Sequence, residues 1–378
     1  MRSSRLRCVR PALALAVACA SGLALAAEAR AGSGEATAMR VLLYRGPGPM
    51  RVEAGGRQAT FEATSTGVRR DGRETRSVWD VPARRGATVA GRRVRGSLRV
   101  TADASAGSAG PQLVVVKTVE LEDYVAGVLE GEIPASWSPE ALAAQAVASR
   151  SYALHERALR ADAPWHVTAT TSHQVYADSA GVHEAIRRAV KQTRGEVLTH
   201  GGRPILAAFH SASGGRTASA DEVWGRSIPY LVSRDVVGEE DSPDTYWRAG
   251  VSLDTFGRLL DSAGVGVGVP RSVVIIERTP SGRVARLEVL GSKGRSRLSG
   301  RELRSIIGES TLRSTLFDVR PGDGRVVFVG TGRGHGVGMS QWGAQALARA
   351  GRRYPEILQA FYPGTQLEDL DRSVAKRR

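Results

Sequence analysis

From Leu121 the apolar residues recur at helical spacing, with Tyr124, Val125, Val128 and Leu129 on one face. Pro134 interrupts the pattern and biases Ile133 away from helical angles. The pattern resumes behind Ser138, an N-cap residue type, and Pro139, which suits the first helical position. The spacing predicts helix, break, helix over Leu121 to Leu154. The second helix is rich in alanine, so a neighbouring backbone can approach it closely. Its polar residues are few: Gln145, Ser149, Arg150 and Tyr152.

Upstream the period shortens to two. Val41–Tyr44, Gln58–Ala63, Ser77–Val81 and Leu98–Val100 read as short strands between Gly, Pro and Arg-Arg turns. They define a small β-rich region, 39–111. Its last part, Ala104 to Pro111, is rich in Gly, Ser and Ala and reads as a long hairpin loop or a domain boundary. Leu113–Val119 is the next strand and leads into the helical pair.

Downstream, Gly181 to Arg194 reads as a helix stopped by Gly195. Val197–His200 and Arg203–Phe209 read as a hairpin over Gly201-Gly202. The hairpin delivers His210-Ser211-Ala212-Ser213-Gly214-Gly215-Arg216, whose hydroxyls, imidazole and glycines suit a binding loop. Asp221–Trp224 and Tyr230–Ser242 read as surface connections. Tyr246–Val251 is a strand and Leu253–Ala263 a helix. Val273–Glu277 pairs with Val284–Leu290, and Thr315–Val319 with Val326–Val329, around a short helix at Arg301–Ile307. From Gly330 to Gly338 glycine occupies every second position, which permits unusual backbone angles and close approach. The segment lacks the Gly-Lys-Ser/Thr ending of a phosphate loop and the βαβ context of a dinucleotide site. Ser340 caps a helix to about Ala350, and a last helix spans Pro355–Phe361. The fold class expected is α+β, with helices packed on antiparallel sheet.

Composition adds location. The first residues carry Arg2, Arg5, Arg7 and Arg10, followed by apolar Pro11 to Leu25 and the small-x-small site Ala24-Leu25-Ala26. Residues 1–26 read as a signal peptide, 27–38 as a linker and 368–378 as a basic C-terminal tail. A secreted, periplasmic or cell-envelope location follows. Cys19 behind Ala16-Val17-Ala18 weakly resembles a lipidation box, although the apolar run continues past it. Both cysteines, Cys8 and Cys19, lie in the leader, so the mature chain has no disulfide framework and no thiolate metal site. The formal charge is +15, and cleavage after Ala26 removes four arginines and no acid, leaving about +11. In a secreted chain that charge points to an anionic envelope surface or wall polymer, or to solubility alone, and not to nucleic acid.

Glu132 stands where the first helix ends, beside the break. Val128, Ile133 and Trp137 are placed to hold its carboxyl partly dry, and desolvation raises a carboxyl pKa toward the range of a general acid. A capping or solvated glutamate is the plainer reading. The histidines form no metal pair on a predicted helix; His166 and His173 are the two that could meet in space. Ser211 and Ser213 lack a nucleophile-elbow frame despite the adjacent His210. A single acid suits a lytic transglycosylase, whereas most glycosidases need two carboxylates.

Taken together, GVLEGEIPASWSPEALAAQAVASRSYAL, HQVYAD, FHSASGGRT with EVWG, and GRGHGVGMSQWGAQALA resemble the stage II sporulation protein D family, which includes amidase-enhancer relatives. The four motifs occur in the family's order and cover about two thirds of the chain, with the family-type domain expected over 112–367. The resemblance implies a peptidoglycan lytic transglycosylase that leaves 1,6-anhydro ends. It puts the catalytic acid on Glu132 and cleft-lining, substrate-binding roles on Gln145, Arg150, Tyr152, His210, Ser211, Ser213, His335 and Gln341. Glu122, Glu130 and Glu140 fall off the motif position and read as solvated or capping. Implied partners are peptidoglycan glycan strands and a cell-wall amidase or other wall hydrolase. Two departures matter. A lysine common in the second helix is here Ala143. Some relatives hold zinc through cysteines near Gln-Val-Tyr; here His173 precedes Gln174 and no cysteine remains, which puts that metal in doubt, so no cofactor is expected. Two rival readings remain: a non-catalytic wall binder that stimulates an amidase, and a hydrolase using Asp178, Glu222 or Asp235 as second carboxylate.

Overall fold

The computed structural model describes residues 38–370, apart from residues 55, 106–109, 171–172 and 179–180. The expected signal peptide with both cysteines, residues 27–37 of the linker, and residues 371–378 of the basic tail lie outside the described residues. The fold is α+β, as the hydrophobic pattern implies.

The chain begins with eight strands: β1 (Ala38–Gly46), β2 (Met50–Ala54), β3 (Arg57–Thr64), β4 (Gly67–Arg70), β5 (Glu74–Arg76), β6 (Val78–Val89), β7 (Arg92–Asp103) and β8 (Gln112–Glu120). Two helices follow, α1 (Leu121–Glu132) and α2 (Pro139–Leu159), then β9 (Val167–Thr168). The nine strands form one sheet in the order β5-β4-β3-β2-β6-β7-β8-β1-β9. Within this sheet β1 and β9 pair in parallel and the other described pairs are antiparallel. The Gly/Ser/Ala-rich stretch after β7 is a hairpin connection, because Asp103 faces Gln112 across it. Phe61, Trp79, Leu98, Val100, Leu113 and Val115 form the core of this sheet.

The helix, break, helix reading holds for α1 and α2. Ile133 is extended, at φ −140° and ψ 149°, as a residue before proline should be. Ser138 sits at the N-cap of α2 with Pro139 behind it, but its side chain makes no cap hydrogen bond. The Gln345 side chain accepts from the Ser138 backbone N–H instead, at 3.0 Å.

Next come α3 (Glu184–Gln192), β10 (Glu196–His200), β11 (Arg203–Pro204), β12 (Phe209–His210) and α4 (Ala220–Trp224). A region with its own core follows: β13 (Trp247–Ser252), α5 (Leu253–Ser262), β14 (Pro270–Arg278), β15 (Val284–Gly291), β16 (Gly294–Ser299), α6 (Gly300–Ile307), β17 (Phe317–Gly322) and β18 (Arg325–Gly330). The chain closes with β19 (Met339–Ser340), α7 (Gln341–Arg349), α8 (Tyr354–Phe361) and β20 (Gln366–Asp369). β12 and β19 pair in parallel, which sets His210 beside Ser340. β20 returns to pair with β10.

α2 is the helix around which two cores meet. Leu142, Ala146 and Ala153 belong to the core shared with α1, β1 and α3. Ala143, Ala144, Val147 and Ala148 belong to the core shared with α7 and α8. Ala143, the position at which the resemblance led lysine to be expected, is thus fully buried among apolar neighbours.

The glycines of α1 have a similar use. The segment 174–178 lies across Gly127 and Gly131, with Tyr176 stacked on Tyr124 at 5.4 Å. A Cβ on Gly127 would sit 2.6 Å from Tyr176 Cε2 and 3.2 Å from the Asp178 carbonyl carbon. Helix propensity favours Gly127→Ala by about 1 kcal/mol. The overpacking costs about 1–3 kcal/mol and has backbone behind it, so it outweighs propensity. Gly127→Ala is expected to lower the urea midpoint without changing the slope; a midpoint at or above wild type would show that the 174–178 segment does not press on α1.

Candidate functional site

Glu132 is the last residue of α1, half-buried at the break. Its Oε1 accepts from the Val175 N–H at 2.7 Å. Burial raises its pKa from 4.5, while the Val175 amide and the Gln341 side chain pull the other way, and burial prevails. The segment bearing Val175 is itself fixed. Gln174 accepts from the Tyr124 hydroxyl at 2.8 Å. Ala177 N–H donates to the Gly127 carbonyl at 3.0 Å. Asp178 is buried against Lys117, the Tyr176 hydroxyl and the Arg95 N–H. A carboxyl that keeps its proton above the ordinary range, against a rigid wall, has the properties of a proton donor.

The opposite wall comes from the start of α7. Gln341 is buried, and its Nε2 has no well-formed partner although the amide is near enough to Glu132 to favour its charge. Ser340 caps α7 by accepting from the Gly343 N–H at 3.1 Å, as its position predicts. The Trp342 N–H donates to the Ser211 carbonyl at 3.0 Å, which brings the 210–216 loop alongside. Trp342 also meets Trp137 edge to face, with centroids 4.9 Å apart. The four motifs therefore converge.

His210 and His335 lie 5.6 Å apart, and Trp224 lies 5.6 Å beyond His335. His210 Nδ1–H donates to the Val337 carbonyl at 3.2 Å, leaving Nε2 buried without a partner. Burial first, then His335 and Arg283, push the His210 pKa well below 6.5. Burial, with nearby arginines, takes His335 down to about 4 despite a hydrogen bond to the Phe209 backbone. Both rings are neutral near pH 7 and serve as hydrogen-bonding groups, not as cations. The alternating glycines let this happen. Gly332, Gly334, Gly336 and Gly338 take φ of +73°, +105°, +83° and +73°, and a Cβ on Gly334 would lie 2.8 Å from that of His210.

The 210–216 loop is held by a residue the sequence reading assigned to a surface connection. Glu239 is buried and accepts from the Ser213 N–H at 2.9 Å, the Ser213 hydroxyl at 2.6 Å, and the Gly214 and Gly215 N–H groups at 3.1 and 3.2 Å. The Ser340 hydroxyl donates to Oε1, the oxygen that also accepts the Ser213 N–H. One carboxylate thus joins the serine-glycine loop to the α7 cap. No periodicity marks such a residue. Nor does its type, since Asp235, Glu240 and Asp241 stand in the same segment.

Several expected site residues face inward. The Arg150 guanidinium is completely buried, with Nε and Nη2 donating to Glu122 at 2.9 and 2.7 Å and Nη1 to the Glu196 carbonyl at 3.0 Å. It ties α1 to α2 and β10, so a substrate-orienting role does not fit it, and Glu122 is its partner and not a solvated acid. Ser213 is spent on Glu239. Gln145 is buried and donates to Ser149 at 3.1 Å, with its Oε1 unpartnered. Tyr152 is half-buried, 6.5 Å from the His173 ring, its pKa raised to about 12 by burial. Glu140 accepts from the Tyr354 N–H and Glu130 from the His183 N–H, both at helix starts. Two of the residues named as second carboxylates, Asp178 and Glu222, are engaged elsewhere, and Asp235 lies exposed on the surface. Asp178 meets Lys117 and Asp235 meets Arg216, while Ser281, Thr279 and Ser219 hold Glu222 at about 2 against its burial. His166 Nδ1 accepts from the Arg40 N–H, and His173 lies against Thr168 and Glu156. Among the described residues no three His, Cys, Asp or Glu side chains gather as a metal site.

Two outcomes test this geometry. Glu239→Ala strands several buried donors and is expected to cost about 3 kcal/mol or more in urea unfolding; a loss under 1 kcal/mol would remove Glu239 as the organiser. Glu132 has a folded pKa above its unfolded 4.5, so its stabilising share is complete below pH 4.5 and lost as pH rises through the folded pKa. Glu132→Gln should therefore gain stability relative to wild type as pH rises from 4 toward 7. Parallel stability–pH curves would contradict the raised pKa.

Comparison with known proteins bears on these motifs directly. The family described as stage II sporulation protein matches residues 109–200, and a domain of unknown function matches residues 226–338. The chain is 32% identical over 263 residues to an uncharacterized protein of Brachyspira hyodysenteriae, covering 69% of this chain and 70% of that one. It is 34% identical over 277 residues to the stage II sporulation protein D of Bacillus amyloliquefaciens, covering 69% and 78%. It is 31% identical over 286 residues to the amidase enhancer of Bacillus subtilis, covering 64% of this chain and 40% of that protein. With about a third of its aligned residues shared with relatives that it spans by more than two thirds, the chain belongs to the stage II sporulation protein D family.

Proposed function

We propose that this chain acts at the bacterial cell wall as a peptidoglycan lytic transglycosylase, cutting the MurNAc–GlcNAc bond in wall remodelling, division or sporulation. The observation that carries the proposal is the carboxyl of Glu132, raised in pKa by burial and braced by Val175 opposite Gln341. Protonated Glu132 donates its proton to the glycosidic oxygen, and the C1–O bond breaks. The resulting carboxylate takes the proton from the C6 hydroxyl as that oxygen bonds to C1, closing a 1,6-anhydro ring and restoring the acid. One carboxyl serves both steps, and no water enters the product. The neutral His210 and His335 are suited to orient hydroxyl and amide groups of the sugar without adding charge. The engagement of Asp178 and Glu222 elsewhere supports this chemistry over a two-carboxylate hydrolase.

The match to an amidase enhancer favours a second reading, a wall-binding protein that stimulates a cell-wall amidase. The chain spans less than half of that relative. Both readings give the protein a place in the envelope, and among the described residues no helix is long and apolar enough to cross a membrane.

Incubation with purified glycan strands, read by mass spectrometry, separates the readings. Anhydro-ended fragments are expected from wild type, with Glu132→Gln slower by about 10²–10⁴-fold. The rate should fall as pH rises through the raised pKa of Glu132, because the acid form starts the reaction. Fragments carrying an added water would point to a hydrolase. Strand binding without cleavage would favour the amidase-stimulating protein.

A further inference from the structure

The pair Trp137 and Trp342 has no place in the mechanism above, yet each tryptophan follows closely in the chain on a residue of the site. Trp342 follows Gln341, the residue facing Glu132, and Trp137 lies in the break that Glu132 opens. Trp137 is half-buried and rests on the core of α1 and α2. Trp342 is half-buried as well but belongs to none of the four hydrophobic cores, and its ring contact is the edge-to-face meeting with Trp137, at 61° between planes.

A half-exposed tryptophan outside every core leaves apolar surface in water, which folding alone does not reward. The surroundings hold it rigid all the same. The Trp342 backbone N–H is fixed on the Ser211 carbonyl, and Gln345, one turn along α7, accepts from the Ser138 backbone N–H next to Trp137. The two helix starts, and with them the two indoles, keep their spacing. Among the described residues neither indole N–H has an acceptor in the protein, so each is free to donate to a ligand.

We propose that Trp342, buttressed by Trp137, is a sugar-stacking subsite that takes the apolar C–H face of a pyranose ring of a glycan strand, next to the bond presented to Glu132. A pyranose turns axial C–H groups with slight positive charge toward one face, and the negative face of an indole matches them. The flat ring loses little freedom on binding, since the tryptophan is fixed beforehand. This inference rests on the glycan-strand reading of the site and adds a specific binding surface to it.

Calorimetric titration with purified glycan strands in the Glu132→Gln background tests it without cleavage. Removing the indole by Trp342→Ala is expected to weaken binding about tenfold, while Trp342→Phe retains most of the affinity, within about twofold. Equal affinity for the alanine variant would overturn the subsite. In case the alanine variant unfolds, 5-fluorotryptophan labelling gives an independent measure in the Glu132→Gln protein. The Trp342 fluorine resonance, assigned by its loss in Trp342→Phe, should shift when glycan is added, and an unmoved resonance would overturn the proposal. The product assay on wild type keeps the two ideas apart. Trp342-dependent binding with no anhydro product would leave the subsite standing and remove the transglycosylase. Anhydro product with binding indifferent to Trp342 would do the reverse.

Discussion

A helix buried on two sides must be thin, and that constraint shapes the molecule around α2. Its alanines let one core close on it from the side of α1 and α3 and another from the side of α7 and α8. Larger side chains would push the two apart. From Ala141 to Ser151 this helix has no wet face, so its polar residues there look for partners within the fold. Arg150 finds Glu122 and the Glu196 carbonyl, and Ser151 accepts from the Leu198 N–H at 2.8 Å. These bonds fasten α1 and β10 to α2. The end of α1 and the start of α7, where Glu132 and Gln341 stand, are thereby set by one central rod.

The chemistry of Glu132 depends on an incomplete balance. A fully solvated carboxyl would be a poor acid near neutral pH, because it would already have lost its proton. One surrounded by donors would be held ionised, as Glu222 is at about 2. Glu132 has a single backbone donor within hydrogen-bonding distance and an amide standing nearby, and burial outweighs both. The histidines across the site follow the same logic with the opposite sign, since dryness costs them their positive charge. The site is thus furnished with neutral hydrogen-bonding groups and one protonatable acid.

How much of this could be read in the sequence depended on how local each cause is. The break at Pro134, the cap at Ser340 and the left-handed angles of the alternating glycines are decided by residues within a few positions, and all three are legible. The parallel pairing of β12 with β19 is not: each strand is two residues long, and they lie far apart in the chain. Arg150 misled for a related reason. A polar residue on an alanine-rich helix looks like a site residue when the second face of the helix is assumed to be open. Glu239 sits in irregular chain, where an acid holding a loop and an acid in water look alike until the fold supplies its five donors.

The region from β13 to β18 separates the 210–216 loop from the glycine-alternating segment in sequence, yet in space it binds them together. Arg283, buried just before β15, donates to the carbonyls of Arg216 and Ser213 at 3.0 and 2.9 Å. The Trp247 indole in β13 donates to the Gly332 carbonyl at 3.0 Å, and the Gly334 N–H donates to the Arg313 carbonyl at 2.9 Å. Ser281 donates through N–H and hydroxyl to Glu222 in α4, two residues before Trp224. A segment made of glycine and small residues has little side chain with which to hold a shape. Its rigidity must be lent by a neighbour with a core of its own, and this region has one, built on Phe256, Leu287, Leu303 and Phe328. The position of His335 opposite His210 is therefore as much a product of that inserted core as of the motif that contains it.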